Sequence, residues 1–201
     1  MENLLLKNIP DHVLENDHVL LRPLTAEDAP NLVHFSIQEP TLWRYSLLSA
    51  AGAGLQNYLD VAVKGRKESK EYPFIVFDKR TNEYAGSTRF YDIQPEHNTL
   101  QLGYTWYGQK FQGTGLNKHC KFLLLSFAFE YLGVERVEFR ADNKNEKSIA
   151  AMRSIGCKVD GILRSNSITC TGDRRDSIVL SILSKEWFDE VKENLRKKLS
   201  H

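Results

Sequence analysis

The sequence predicts an α/β (α+β) fold, a mixed but mostly antiparallel seven-stranded sheet with helices on both faces. Three observations predict it. Strand-like runs "YPFIVFD" (Tyr72 to Asp78), "EYAGSTRFYDI" (Glu83 to Ile93) and "TLQLGYTWY" (Thr99 to Tyr107) are separated only by the turn-forming stretches "DKRTN" and "QPEHN", and such short connections favour antiparallel neighbours. A helix-like run then leads to a further strand, a crossover that sets those two strands parallel. Two helix-like runs precede the three strands. The element order reads β-α-α-β-β-β-α-β-α-β-β.

Each element has its own local reason. "HVLLRPL" (His18 to Leu24) is the first strand. In "TAEDAPNLVHFS", Thr25 and Asp28 stand three apart as a variant capping box, and Pro30 about a turn later makes the helix start late or break. "QEPTLWRYS" is a loop. Leu55, Leu59 and Val63 repeat at helical spacing, so a second helix covers Leu55 to Lys64. "KHCKFLLLSFAFEYLG" is apolar almost all round, which predicts a buried helix closed by Gly133 at C′. "VERVEFR" is a strand, and "NEKSIAAMRSIG" a short helix from near Asn145 to Gly156. "KVDGILR" and "DSIVLSIL" are strands around the turn "CTGDRR". "SKEWFDEVKENLRKKL" is an amphipathic helix with Trp187, Val191 and Leu195 on one face, its basic end suiting a helix C-terminus.

Size and composition bound the function. With 201 residues, 41% hydrophobic and 26% charged, the chain suits a single soluble domain spanning 1–201, with a core over about 18–184 and a final helix over about 185–199. A formal net charge of +1 supplies no global field for nucleic acid or membrane. Cys120, Cys157 and Cys170 are odd in number and lack metal-ligand spacing, so they read as reduced thiols and no metal site is expected. "MENLLLKNIP" holds three consecutive leucines, too few for a signal segment, and no run approaches a membrane span. A cytoplasmic protein is the expectation.

The chemical signal is "QKFQGTGLNKHC" (residues 109–120), a glycine turn between a strand and a helix. Such turns present free backbone N–H groups to anions. A Walker A loop needs G-x-x-x-x-G-K-[ST], which is absent. A dinucleotide fingerprint needs a third glycine where Lys118 stands, and it opens a βαβ repeat rather than following hairpin strands. Gln112-Gly113-Thr114-Gly115-Leu116-Asn117 instead resembles the acetyl-CoA pyrophosphate loop of the GNAT acyltransferase superfamily, Q/R-x-x-G-x-G/A, with Asn117 in the final small-residue place. The segment "FEYLGVERVEFRADNKNEKSIAAMRSIGCKVDGILR" is similar to the second half of the core in the RimJ/RimL-type ribosomal-protein N-acetyltransferase branch, with Asn145 to Ser148 as the Asn-x-x-Ser helix start, and "LLRPLTAEDAPNL" resembles that branch's opening. The resemblance covers about Leu20 to Trp187.

It implies a GNAT fold and acetyl transfer from acetyl-CoA to a primary amine, of a protein N-terminus or a small molecule, by direct attack. The backbone of residues 113–118, Lys118 among them, would face the pyrophosphate. Lys110 would add charge, and Thr105, Trp106 and Tyr107 would hold pantetheine in the manner of an added strand. A backbone N–H near Trp106 would meet the oxyanion. Many family members carry a tyrosine as the acid for the leaving thiolate; Met152 stands in that place, beside Asn145 and Ser148 along the CoA, and the Ser148 hydroxyl is the replacement donor. Where some members carry a glutamate base, Gln101 stands, leaving Asp92, Glu39 and His119; the first turn of a helix disfavours a charged His119. An amine of pKa near 8 needs little help, whereas a lysine-like amine near 10.4 costs several kcal/mol to deprotonate. Glu39, Trp43, Tyr45, Tyr91 and Tyr104 are the acceptor-side candidates, the loop residues Trp43 and Tyr45 foremost, since strand tyrosines are commonly packing. The other classes weighed are a non-catalytic acyl-CoA-binding regulatory module and, more distantly, an NAD-dependent oxidoreductase. The final strands and C-terminal helix are compatible with a homodimer.

Overall fold

The protein's computed structural model describes residues 11–199; the leucine run near the N-terminus lies outside them. Among the described residues, eight strands form one sheet: β1 (Leu14–Glu15), β2 (Val19–Pro23), β3 (Tyr72–Asp78), β4 (Glu83–Gln94), β5 (Thr99–Tyr107), β6 (Arg136–Asp142), β7 (Lys158–Ile168) and β8 (Arg174–Leu183). Their order is β1-β2-β3-β4-β5-β6-β8-β7. The eighth strand corrects the expected seven. It is β1, which pairs only Leu14 with Leu21 and Glu15 with Leu20, and two residues carry no periodicity to read. All neighbours are antiparallel except β5 and β6.

The helices are α1 (Ala29–Gln38), α2 (Gly54–Lys67), α3 (Leu116–Ser126), α4 (Glu146–Ser154) and α5, which runs from Ser184–Glu186 through a π turn at Trp187–Val191 into Lys192–Lys197. α1 does start late. A 3-10 turn over Ala26–Asp28 precedes it, and Pro30 falls in its first turn, where no helical N–H is needed. Asp28 anchors this entry. Its carboxylate accepts from the Thr25 N–H at 2.9 Å and from both ends of the Arg22 guanidinium at 2.5 and 2.9 Å, and those bonds hold it ionised below the usual carboxylate range despite burial. α3 also ends in a π turn, Phe127–Tyr131, before Gly133 at φ 68°.

Side chains on β5 define the two faces. Trp106 packs edge-on against Phe35 of α1 and Tyr58 of α2, while its neighbour Thr105 meets Lys121 of α3. Successive strand residues point to opposite faces, so α1 and α2 cover one face and α3 the other. α5 joins the α3 side: Trp187, wholly buried, lies against Phe129 and Phe122 and donates its Nε1–H to Glu130 at 3.2 Å. Val191 and Leu195 complete the buried stripe read from the sequence. Trp187→Ala should therefore lower the unfolding free energy by about 3–5 kcal/mol, measured by urea titration; a loss below about 1 kcal/mol would mean that α5 docks without this anchor.

Candidate functional site

The site is built where β5 leaves its parallel partner. β5 pairs with β6 only over Thr99–Gln101, yet it stays with β4 as far as Tyr107 opposite Gly86. β6 meanwhile follows β8 to Asp142. A wedge therefore opens between β5 and β6 beyond Gln101. The cause is a bulge: the β4–β5 register slips between Ser87 and Arg89, and Tyr104 takes φ 47°. The Tyr58 hydroxyl braces it, donating to the Tyr104 carbonyl at 3.4 Å and accepting from Trp106 Nε1 at 3.2 Å.

At the open end of the wedge stands the glycine turn. Gly113 and Gly115 take φ 78° and 87°, and a Cβ on either would meet open space. The conformation, not crowding, calls for glycine there. Among the described residues, the N–H groups of Gly113, Thr114, Gly115 and Asn117 have no hydrogen-bond partner, while Lys118 and His119 already bond to the Gly115 carbonyl. Free N–H groups at the head of α3, with room above them, suit an anion such as a pyrophosphate. Arg80, in the β3–β4 turn, donates to the Thr114 carbonyl at 2.9 Å and is itself held by Asp78. Its cation stands beside the turn, a residue that sequence reading missed because it lies 34 positions away. Lys110, in contrast, is paired with Glu83 at 2.6 Å.

Gln112 binds across the wedge mouth. Its Nε2 donates to the Tyr107 carbonyl at 2.7 Å, and its Oε1 accepts from Lys147 on α4. On α4, Asn145 is the N-cap, its Oδ1 accepting from the Ser148 N–H at 3.1 Å. The Ser148 hydroxyl is thus not the cap, and it makes no hydrogen bond among the described residues. Met152 is buried on the same helix.

Several expected site residues stand elsewhere than the sequence suggested. Trp43 is 2% exposed and packs edge-on against Trp106 at 4.9 Å, so it is core and not an open acceptor wall. Its large apolar ring found the hydrophobic interior, as burial energetics favour. Glu39 accepts from the Gln109 N–H at 2.7 Å and pins the end of α1 to the end of β5. Asp92 accepts from Gln101 at 2.6 Å, at the closed end of the wedge. His119 is buried, stacked on His18 at 4.2 Å and bonded to Asn16; burial and the neighbouring His18 and Arg80 push its pKa down. Tyr45 is half-buried, its ring under Arg44. Tyr91 and Tyr104 do meet, edge to face at 4.9 Å beside the bulge, and burial raises both phenols.

The bulge also rests on buried cations. Arg89, wholly enclosed, pairs with Glu71 at 2.6 Å and lies over the rings of Tyr58 and Tyr104. On the other face, Lys121 donates to Thr105 Oγ1 at 2.8 Å and to Thr88 Oγ1 at 3.4 Å, with no carboxylate paired to it among the described residues. Burial pulls its pKa down to about 8.

A model of the GNAT acetyltransferase domain matches residues 18–158. The chain belongs to the GNAT acetyltransferase family. It is an acyltransferase, and the binding-module and nicotinamide readings yield to that assignment. A Bacillus subtilis (strain 168) protein named "Putative ribosomal N-acetyltransferase YdaF" is 25% identical over 181 residues, covering 87% of this chain and 96% of the relative. A GCN5-related N-acetyltransferase from Brucella melitensis superposes with a TM-score of 0.85 at 25% identity, covering 95% of this chain and 86% of that one. Mycobacterium smegmatis RimJ, in complex with CoA-disulfide, shares the fold at a TM-score of 0.78 and 17% identity, over 94% of this chain and 93% of that one. The ribosomal N-acetyltransferase relative agrees with the RimJ/RimL-type branch. No helix among the described residues is long and apolar enough to cross a membrane.

The buried lysine gives a stability signature. With a folded pKa near 8 against 10.5 for the free side chain, the unfolded chain binds more protons in between, so this group adds stability as pH rises above 8. Cys120 and Cys157, both raised by burial, act oppositely once free thiols ionise. Lys121→Met should remove the rise and gain up to about 3 kcal/mol at neutral pH. Parallel wild-type and variant stability curves between pH 7 and 9 would contradict this.

Proposed function

We propose that this acyltransferase is an acetyl-CoA-dependent N-acetyltransferase acting on a primary amine, of a protein N-terminus or a small molecule, by direct attack. One observation carries the reading: β5 parts from β6 beyond Gln101, and the wedge so formed runs to a glycine turn with free N–H groups. Acetyl-CoA supplies the activated acyl group as a thioester. The turn of Gln112, Gly113, Thr114, Gly115, Leu116, Asn117 and Lys118 holds its pyrophosphate, with Arg80 adding charge. The freed edge of β5 at Thr105, Trp106 and Tyr107 bonds the pantetheine as a strand would. A backbone N–H near Trp106 stabilises the oxyanion as the amine attacks.

The remaining steps move protons. Asn145 fixes the first turn of α4, and that turn carries the free Ser148 hydroxyl; the hydroxyl donates to the departing thiolate, which Met152 is unable to do. Asp92 receives the amine proton through water, and an α-amine of pKa about 8 needs that help least. Tyr45, Tyr91 and Tyr104 border the acceptor side, while Trp43 and Glu39 act behind them by fixing Trp106 and Gln109. The protein works as a cytoplasmic enzyme, a single domain over 1–201, with a homodimer open to its last strands and helix.

A CoA-release assay over an amine panel tests turnover. A protein that binds acetyl-CoA yet releases no CoA with any amine would sink the reading. Two substitutions test the residues. Gly115→Val should weaken acetyl-CoA about tenfold to a hundredfold, because a β-branched residue is strained at that φ, and Asn117→Ala by no more than about threefold on calorimetric titration. Equal losses would place the pyrophosphate elsewhere. Ser148→Ala should lower kcat about tenfold or more with acetyl-CoA affinity unchanged; an unaltered kcat would remove Ser148 from the chemistry.

A further inference from the structure

Arg175 is the second residue of β8, beneath the junction of two loops. It is 6% exposed. Its Nε has no hydrogen-bond partner, and its Nη1 reaches only the Tyr45 carbonyl, at 3.4 Å. No ion pair engages it among the described residues. The other buried arginine, Arg89, also leaves Nε and Nη2 without partners, but it has Glu71 at 2.6 Å as counter-ion and two tyrosine rings around it. Asp142 acts on Arg175 through space without a hydrogen bond, and burial disfavours its charge. Leaving a guanidinium buried and short of partners costs free energy that a bound anion would return.

The surroundings of Arg175 are those of the acceptor side. Tyr45 belongs to the connection between α1 and α2, so the guanidinium lies on the α1/α2 face. Tyr91 and Tyr104, the pair beside the bulge, act on it electrostatically. Above it the β7–β8 turn meets the α1–α2 connection: the Cys170 N–H donates to the Ser46 carbonyl at 2.9 Å, and its thiol to the Trp43 carbonyl at 3.3 Å. The junction ties the β7–β8 turn to the α1–α2 connection beside Arg175.

We propose, on the acetyl-transfer reading above, that Arg175 is a specificity residue which binds a carboxylate of the acceptor, and that the acceptor is an amine of amino-acid size carrying that carboxylate. A guanidinium and a carboxylate match as a two-pronged pair. Arg89, near the same tyrosines, already has Glu71 as its counter-ion, so Arg175 is the guanidinium left to meet a carboxylate. The amine, attached within a few bonds of the carboxylate, is thereby turned toward the bulge. Hydrogen bonds to charged groups of this kind change affinity by about tenfold to a hundredfold.

The test uses the intact protein with acetyl-CoA. Acceptors are the proteinogenic L-amino acids, their α-amides, spermidine, and one short peptide as free acid and as C-terminal amide. The expected result is at least one amino acid with a kcat/KM about tenfold or more above its amide. Arg175→Met should erase that preference by lowering the acid and sparing the amide, and Arg175→Lys should restore part of it. Calorimetry in the presence of CoA should show the best acid binding to wild type and not to Arg175→Met. An amide or spermidine equal to the acids in wild type overturns the proposal without needing a variant. So does a panel in which no acid is acetylated and none binds the CoA complex, or a peptide amide preferred over amino acids. Failure of acetyl-CoA itself to bind would instead strike the acetyl-transfer reading, and it is scored in a separate titration.

Discussion

The structure depends on one local constraint, the bulge at Tyr104. β5 is committed to β4 along its length, and the slip between Ser87 and Arg89 increases its twist. β6 is committed to β8. The two strands share a ladder for three residues and then must separate, because neither partner follows the other's twist. The separation leaves a row of backbone groups on β5 without a β-sheet neighbour. In an ordinary sheet such an edge is a liability. Here it lies inside the molecule, where a ligand able to pair with backbone finds a prepared slot.

Holding that bulge requires polar side chains in places where a core normally has none. Tyr58 reaches from α2 to the Tyr104 carbonyl, and Arg89 stacks beneath the same residue with Glu71 as its counter-ion. From the opposite face, Lys121 joins Thr88 and Thr105, the latter itself donating to the Gly103 carbonyl. Two cations therefore flank the bulge through different faces, only one of them neutralised by a carboxylate. Their desolvation weakens the fold. It also raises the local positive potential where an oxyanion or a thiolate would form, in surroundings that screen charge poorly. Stability is lower at this point so that the electrostatics are in place before any substrate arrives.

Much of this was legible in residue patterns. The three central strands fall where their alternation and turns put them, and β3 and β5 match to the residue. Gly133, Gly156 and the Asn145 cap ended or began helices as their chemistry requires. The glycine turn carried the family, because its geometry is local. What stayed hidden was non-local. The two-residue β1 has no period. The π turns in α3 and α5 leave no composition signature. Trp43 looked like a loop aromatic because its neighbours are polar, but burial is decided by Trp106, 63 residues on. Arg80, Lys121 and Arg175 sit in unremarkable sequence, and their meaning comes from what the fold fails to pair with them. Lys121 lies within a run that is apolar almost all round, and nothing near it in sequence shows the threonines it bonds.

Gln112 shows how a motif residue can serve the free protein and the complex in different ways. Its amide bonds the last carbonyl of β5 on one side and Lys147 of α4 on the other, so it spans the two walls of the wedge at its mouth. A backbone carbonyl and a lysine cation left bare there would each be solvated by water, and the wedge would have no fixed width. The bridge sets that width with one neutral side chain. Asn145 then fixes the first turn of α4, so Lys147 and Ser148 approach the wedge from a rigid helix start. On the proposed acetyl-CoA reading, a pyrophosphate in the neighbouring turn would offer the Lys147 ammonium a charged partner in place of an amide oxygen. Gln112 can release it while keeping Tyr107, because its two ends bond independently.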